Sequence, residues 1–385
     1  MNSPREGFAE IRATYRLQFH RDFTFSDAQA LVPYLAELGI SHLYASPIME
    51  ARPGSTHGYD IINHNRINPE IGGETGFQDL VAELHVHGMG LILEIVPNDM
   101  GVGGRDNAWW LDVLEWGQES PCAGYSDINW EAGRADLKDR ILLPVLGDQY
   151  GVILEQGGIE LRFDAEGGSF SAWYFDHRFP ISPKSYSEIL DAGGPSLSEI
   201  TANFGAFRLV ADRERAVVLK RRLAEIAAEP VVASAIATAL QRFNGRVGSA
   251  VSFERLYRLL DVQAYRLAYW RVAREEINYR RFFDINDLAG LCVELPQLFE
   301  DTHRRVFEMI EPGEVPGLRI DHIDGLFDPD AYCAALQQRL SEPLYTAVEK
   351  ILALYGGLPD WSVDGTTGYD FANQAWSSTR PEKRR

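Results

Sequence analysis

Long hydrophobic runs, paired cysteines and an excess of positive charge are all missing from this chain, and each absence closes a class of function. No stretch approaches the roughly 18 apolar residues of a membrane-spanning helix. Met1-Asn2-Ser3-Pro4-Arg5-Glu6 holds no apolar signal core, so neither export nor membrane insertion is expected. The cysteines number 3 (Cys122, Cys292 and Cys333), odd in count and far apart, which signals neither a disulfide framework nor a cysteine-based metal site and points to a reducing cytoplasm. Lys plus Arg total 37 against 56 Asp plus Glu, a net charge of −19, which argues against nucleic acid or an anionic membrane as partner and leaves a neutral or cationic ligand. The first apolar strand pattern ends in Gln18-Phe19-His20, where a dinucleotide-binding fold would carry a glycine-rich phosphate turn. His85 and His87 stand two apart and cannot share a helix face, so no metal is assigned.

What remains is ample for a large core: 385 residues, 45% hydrophobic and 11% aromatic. The pattern alternates strand and helix: Ala13 to Phe19, Asp27 to Leu38, Ser41 to Ser46, Phe77 to His87, Leu91 to Val96. Such repetition predicts a parallel α/β sheet, either barrel or doubly wound, and the missing phosphate turn favours the barrel. After Val96 the alternation gives way to a region rich in turns and tryptophan (Trp109, Trp110, Trp116, Trp130, Trp173), then to helical spacing from about Ser198 to Glu311. Leu219, Leu223 and Ile226, then Phe253, Leu256, Leu260, Ala264 and Leu267 carry that spacing. The reading is a (β/α)8-type TIM barrel represented by five β/α units, with a large, mostly helical insertion between strands three and four. Its boundaries are residues 1–100 for strands one to three, 101–315 for the inserted subdomain, 316–376 for strands four and five, and 377–385 for a disordered tail.

Two carboxylates carry the chemistry. Gly317-Leu318-Arg319-Ile320-Asp321-His322 alternates apolar residues with Arg319 and Asp321, as a buried strand ending in an acid does. Leu344-Tyr345-Thr346-Ala347-Val348-Glu349 repeats the pattern, and Asp328-Pro329 opens a helix between them. Consecutive strands of a β-α-β unit therefore set Asp321 and Glu349 side by side, about 5 to 6 Å apart, the retaining separation for glycoside chemistry. Either acid alone reads first as half of a structural ion pair. Together, they read as a pair with unequal roles: Arg319 should keep Asp321 an anion, and desolvation beside Val348 and Ile351 should raise Glu349 into a proton donor.

Loops at the C-terminal ends of barrel strands carry the remaining candidates. The loop Pro53-Gly54-Ser55-Thr56-His57-Gly58-Tyr59-Asp60, continuing through Asn63-His64-Asn65, offers an aromatic for a sugar face and His57 and Asp60 for hydroxyls; it also reads as a glycine turn braced by its own Asp. In Glu94-Ile95-Val96-Pro97-Asn98-Asp99, Glu94 is a candidate partner for Arg319 and Asn98 a substrate contact. Tyr59, Asp60, Asn98 and Arg319 are expected to converge around Asp321.

In combination these residues resemble glycoside hydrolase family 13, the α-amylase clan, and within it the maltooligosyl trehalose synthase family. The narrower resemblance rests on Thr14-Tyr15-Arg16-Leu17-Gln18-Phe19, on Gly54 to Asp60, on Gln263 to Arg271, on Glu276-Ile277-Asn278-Tyr279-Arg280-Arg281-Phe282-Phe283-Asp284, on Arg319 to Leu326, and on Asp364 to Phe371. It implies Asp321 as nucleophile, Glu349 as general acid/base, Arg319 as the residue that orients the nucleophile, Tyr59 as the platform under the reacting glucose, and His57, Asp60, Asn98, Asp99, His322, Tyr279 and Arg280 as substrate contacts. Departures stand at Glu94 and Asn63, where the clan more often has Asp, and at Asp99, where it has His. The implied activity is isomerisation of a linear maltooligosaccharide to maltooligosyl trehalose without cofactor, with maltooligosyl trehalose trehalohydrolase as the next enzyme. The family's third carboxylate, in a His-Asp pair, belongs to strands beyond Phe371, so open sheet edges and little activity are expected of the isolated chain. An α-glucan hydrolase sharing the two acids, or an inactive fragment, is the alternative.

Overall fold

Short parallel strands organise the first of two compact units, which takes the chain up to Gly101 and again from Arg281; Val102 to Arg280 form the second. The computed structural model describes residues 10–208, 212–353 and 356–379, so the Met1 to Glu6 segment and the tail from Arg380 lie outside the described residues.

In chain order the first unit has β1 (Thr14–Leu17), α1 (Phe25–Glu37), β2 (His42–Ala45), β3 (Met49–Ala51), β4 (Ile61–Ile67), α2 (Gly73–Val86), β5 (Gly90–Ile95) and β6 (Asp99–Gly101). It resumes with β7 (Leu288–Gly290), α3 (Pro296–Ile310), β8 (Gly317–Ile320), α4 (Pro329–Gln338), β9 (Tyr345–Val348), β10 (Gly365–Thr366) and α5 (Tyr369–Thr379). The sheet order is β1-β2-β5-β8-β9-β10, parallel at each step. Two antiparallel ribbons, β3 with β4 and β6 with β7, sit beyond strand ends.

Local chemistry explains these elements. Thr24 and Asp27 form a reciprocal cap on α1, with the Thr24 N–H 2.7 Å from Asp27 Oδ2. Asp328 caps α4 by accepting from the Ala331 N–H at 3.0 Å, with Pro329 in the first helical position. α1 buries Phe25, Ala28, Val32 and Leu35, one face at helical spacing. Every residue of β5 and of β8 is buried, as expected of strands covered on both faces. Leu43, Leu91, Leu93, Leu318, Ile320 and Val348 share a core with Val32, Leu35, Phe77, Leu80, Val306, Ile310 and Leu336. Each such side chain contributes about 1.5–3 kcal/mol by burial; trimming Leu318 to Ala should cost about 2–5 kcal/mol.

The structure differs from the sequence reading at several points. A sixth strand, β10, covers part of the β9 edge expected to be open, using only Ala347↔Gly365 and Val348↔Thr366. Asn63-His64-Asn65 lies within β4 rather than a loop: Asn63 faces out and His64 is buried, the alternation of a strand. Ala264 and Leu267 are not helical, because Tyr265–Tyr269 runs as a strand parallel to Ile141–Leu146. The compact units change at Arg280/Arg281 rather than at 315, since the face of α3 with Phe299, Val306, Phe307 and Ile310 belongs to the first unit's core. Ser377 and Ser378 belong to α5, not to a tail. The second unit has the helices Ala108–Trp116, Ser198–Phe207, Arg213–Ala227, Pro230–Asn244 and Glu254–Asp261. It also carries an antiparallel sheet of Glu160–Asp164, Ser169–Tyr174 and His177–Pro180 that helical periodicity did not reveal. Among the described residues no single helix is long and apolar enough to cross a membrane.

Candidate active site

Register decides which side chains meet. Arg319 on β8 pairs with Glu94 on β5 and with Ala347 on β9. Asp321 and Glu349 follow two residues beyond Arg319 and Ala347, so the period of two puts both acids on the face of Arg319, past the strand ends. On the other side Arg16 pairs with Tyr44, and Tyr44 with Ile92, two residues before Glu94. The stagger between strands thereby gathers Arg16, Tyr44, Glu94, Arg319, Asp321 and Glu349 on one face. Leu318 and Ile320 turn the opposite way, into the hydrophobic core.

Arg319 is the hub. Its Nη1 donates to Glu94 Oε1 at 2.5 Å and to Asp321 Oδ1, while Nη2 lies 3.2 Å from Glu349 Oε1. Both of its Nη groups are committed to acids, while its Nε is buried with no hydrogen-bond partner. The Glu94 side chain, fully inaccessible, also accepts from Arg16 Nη2 at 3.0 Å, Tyr44 Oη at 3.1 Å and Tyr59 Oη at 2.6 Å. Glu349 Oε2 accepts from the backbone N–H of His322 at 2.9 Å, and Oε1 from the Tyr369 hydroxyl at 3.3 Å.

Two guanidiniums thus face three carboxyl groups, and burial competes with charge in setting their proton affinities. Asp321 is raised to about 7: burial is the largest cause, Glu349 and Glu94 add to it, and Arg319 opposes without prevailing. For Glu349 burial again pushes upward, but the His322 N–H, Arg319, Asp321 and Tyr369 outweigh it and hold the group below its ordinary value. This reverses the expectation from sequence, in which Arg319 kept Asp321 anionic and apolar neighbours raised Glu349. Asp321 is the more deeply buried, with 9% of its side chain exposed against 27% for Glu349, and loses more hydration than one guanidinium returns. Burial would lower Arg319, but Glu94, Tyr44, Asp321 and Glu349 raise it well above its ordinary value. Tyr44 and Tyr59 are both raised, by burial first and by Glu94 second, and so remain donors.

The other candidates divide. Tyr59 reaches the cluster through Glu94, on a turn where Gly58, at φ +80°, passes so close to Pro47 that a Cβ would lie 2.7 Å from its carbonyl oxygen. Asn98 and His322 meet, Nδ2 to Nδ1 at 3.3 Å, beside the acids. Asp99 is buried and accepts from Asn98 Nδ2 at 3.1 Å. His57 and Asp60 brace their own turn: the His57 Nδ1 accepts from the Tyr59 N–H at 3.1 Å, its carbonyl from Gln18 Nε2 at 3.0 Å, and Asp60 Oδ1 accepts from Ser55 Oγ at 2.5 Å. The Ser55 hydroxyl occupies one oxygen of the Asp60 carboxylate, within its own turn. Tyr279 and Arg280 belong to the second unit, where the buried Tyr279 ring packs edge-on to Trp110 at 5.4 Å and Arg280 Nε lies 3.3 Å from Asp127. Sequence reasoning assigned no role to Arg16, Tyr44 or Tyr369. The alternation of Arg16 and of Tyr44 with apolar residues was the available signal for the first two.

A half-barrel of parallel strands with an arginine-bridged acid pair at their ends is the arrangement of an α-amylase-type catalytic domain. Residues 29–136 match that family's model, described as "Alpha amylase, catalytic domain". More particularly, the chain resembles maltooligosyl trehalose synthases along nearly its whole length. It is 36% identical over 368 residues to the Mycobacterium tuberculosis protein of that name, which covers 94% of this chain and 37% of the relative. The solved structure of maltooligosyltrehalose synthase from Arthrobacter ramosus superposes with a TM-score of 0.68 at 35% identity, over 93% of this chain and 37% of that one. The intracellular maltogenic amylase of Bacillus subtilis is 35% identical over 102 residues, 26% of this chain and 16% of its own. The chain thus spans 37% of the length of the Mycobacterium relatives.

Proposed function

We propose that this chain carries the covalent-catalysis pair of an intramolecular transglycosylase that turns the reducing-end α-1,4 bond of a maltooligosaccharide into an α,α-1,1 bond. Five of its six parallel strands, β1, β2, β5, β8 and β9, are those of the first five β/α units of a (β/α)8 barrel, with the second compact unit inserted between the third and fourth. The observation that carries the reading is one guanidinium, Arg319, bridging Asp321 and Glu349 at adjacent strand ends. Two carboxyl groups so close leave no room for a water between them, which favours retention over inversion.

The geometry supports a definite sequence of steps. The pair shares one proton. A glucan covers the more exposed Glu349, strips the water that keeps it charged and favours that proton on Glu349. Oriented by Arg319, Asp321 attacks the anomeric carbon of the penultimate glucose as Glu349 protonates the departing glucosyl oxygen. The released glucose turns, Glu349 takes the proton of its 1-hydroxyl, and that oxygen displaces Asp321 from the anomeric carbon. Bonds and protons balance, and the net change is an isomerisation. The acidic charge and sparse cysteines favour a cytoplasmic setting, with a maltooligosyl trehalose trehalohydrolase as the consumer of the product.

The test is covalent. A 5-fluoro α-glycosyl fluoride of maltotriose should label the peptide containing Asp321, read by mass spectrometry, and what slow turnover of maltopentaose there is should consume reducing ends as an α,α-1,1 anomeric signal grows. Labelling elsewhere or not at all would overturn the assignment; new reducing ends in place of lost ones would mark a hydrolase.

A further inference from the structure

A cleft between α3 and α4, within the first unit, takes no part in the chemistry above. Its volume is about 480 Å³, inside the range of small-molecule sites, about 300–1,000 Å³. Its floor is aromatic and fixed. The His303 Nδ1 donates to Phe299 O at 2.9 Å, which leaves Nε2 to accept from the Tyr332 hydroxyl at 2.7 Å. The Tyr332 oxygen is thereby spent inward, and what Tyr332 shares with the cleft is its ring, 5.8 Å from that of Phe299 and inclined to it at 73°. Phe327, on the same wall, is 82% exposed, an apolar ring left almost wholly in water.

The rim is acidic. Glu294, Glu300 and Asp328 bring three carboxyl groups to it and Arg339 one guanidinium, a net charge of −2. That guanidinium is engaged already, with Nε 3.3 Å from Glu300 Oε1 and its centre 5.0 Å above the Phe307 ring. The positive end of α4 is answered too, since Asp328 Oδ1 accepts from the Ala331 N–H, and Pro296 leaves the start of α3 one N–H short. We propose that this cleft binds an organic ammonium ion with an apolar body, the body on Phe299, Tyr332 and Phe327 and the charge at Glu294 and Glu300. Aromatic faces attract a cation through their quadrupoles, the carboxylates attract it by charge, and the body leaves water. The chain's net charge of −19 favours the same sign of ligand. A neutral glucan would use none of that charge, so this site takes a different class of ligand from the acid pair and is independent of the transglycosylase reading.

Three probes of one shape and different charge test the site. The full chain is labelled with 4-fluorophenylalanine, the residue-327 fluorine resonance is assigned by its loss in Phe327→Leu, and phenethylammonium, 2-phenylethanol and 3-phenylpropionate are titrated in separately. Phenethylammonium should shift the resonance to saturation and bind about tenfold more tightly than 3-phenylpropionate, with the alcohol between them. In Glu294→Gln/Glu300→Gln the ammonium should lose most of that advantage while the alcohol stays within about twofold of the parent, a split that general damage to the cleft would not produce. Ala335→Trp, which fills the cleft, should weaken all three. A residue-327 signal unmoved by phenethylammonium, equal binding of the cation and the anion, or an ammonium affinity unchanged in the double variant overturns the site.

Discussion

Asp321 and Asp136 each lie against an arginine inside a network of acids and guanidiniums, yet their proton affinities move in opposite directions. In the second unit Arg134 Nη2 lies 2.7 Å from Asp136 Oδ2 and also meets Glu276, with Arg266 3.5 Å from the same Asp136 oxygen. Asp136 is lowered, first by the Arg134 hydrogen bond. In the first unit Asp321 has Arg319 even closer, but is raised. What separates them is water: side-chain exposure is 49% and 35% for the Arg134–Asp136 pair, and 7% and 9% for Arg319–Asp321. The partner's charge does not set the sign of a shift by itself; the hydration lost in reaching that partner competes with it.

Substitutions can widen or collapse this contrast. The largest effect should come from Asp321→Asn, which removes the proposed nucleophile and should abolish fluorosugar labelling and cut any turnover by orders of magnitude, whereas Asp136→Asn should change neither. Arg319→Met leaves buried acids without their hub and should cost about 3–5 kcal/mol in urea unfolding. Arg134→Met, on the exposed network, should leave the urea midpoint where it was.

The pH dependence should differ in slope. Asp321 has a raised folded value of about 7 against an ordinary 3.8, so its contribution is fully present below the unfolded value and is lost as pH rises toward and through 7. Asp136 is lowered, so its contribution is present above the ordinary carboxylate range and is lost as pH falls through the folded value. Urea midpoints between pH 3 and 8 should lose the neutral-side decline in Asp321→Asn and part of the acid-side decline in Asp136→Asn. A parent whose stability rises from pH 5 to 7 relative to Asp321→Asn would contradict the raised value. The smallest expected effect is ionic. Moving from about 0.1 to 1 M salt shortens the screening length from about 10 to 3 Å. The carbon-13 titration of Asp136 should drift back toward an ordinary value, while that of Asp321 should hold.

Much of the first unit was legible because period-two and helical patterns are written locally. β1, β2, β5, β8 and β9, the helices between them and the Asp328-Pro329 start all lie within a few residues of their expected positions. The adjacency of Asp321 and Glu349 follows from the same alternation. The β10 contact was not legible: two residues make too short a strand to leave a pattern. Nor was the strand at Tyr265–Tyr269, whose apolar residues satisfy a helical template equally well and whose partner, Ile141–Leu146, is remote in sequence. Arg16 and Tyr44 depend on stagger across several strands, a property of no single segment. The directions for the acid pair run opposite to the expectation for a physical reason: proximity of Arg319 can be read from sequence, whereas the depth of burial that opposes it is a property of the assembled sheet.

The hold on Glu349 by the His322 N–H has an evolutionary side. A main-chain amide is present whatever the side chain, so nineteen of the twenty residues at position 322 would still offer Glu349 that donor. Proline alone lacks it, and proline's fixed negative φ is also incompatible with the 44° adopted there. The side chain at 322 can therefore change without removing the acid's anchor: freedom at one position is uncoupled, by one peptide bond, from the hold on Glu349.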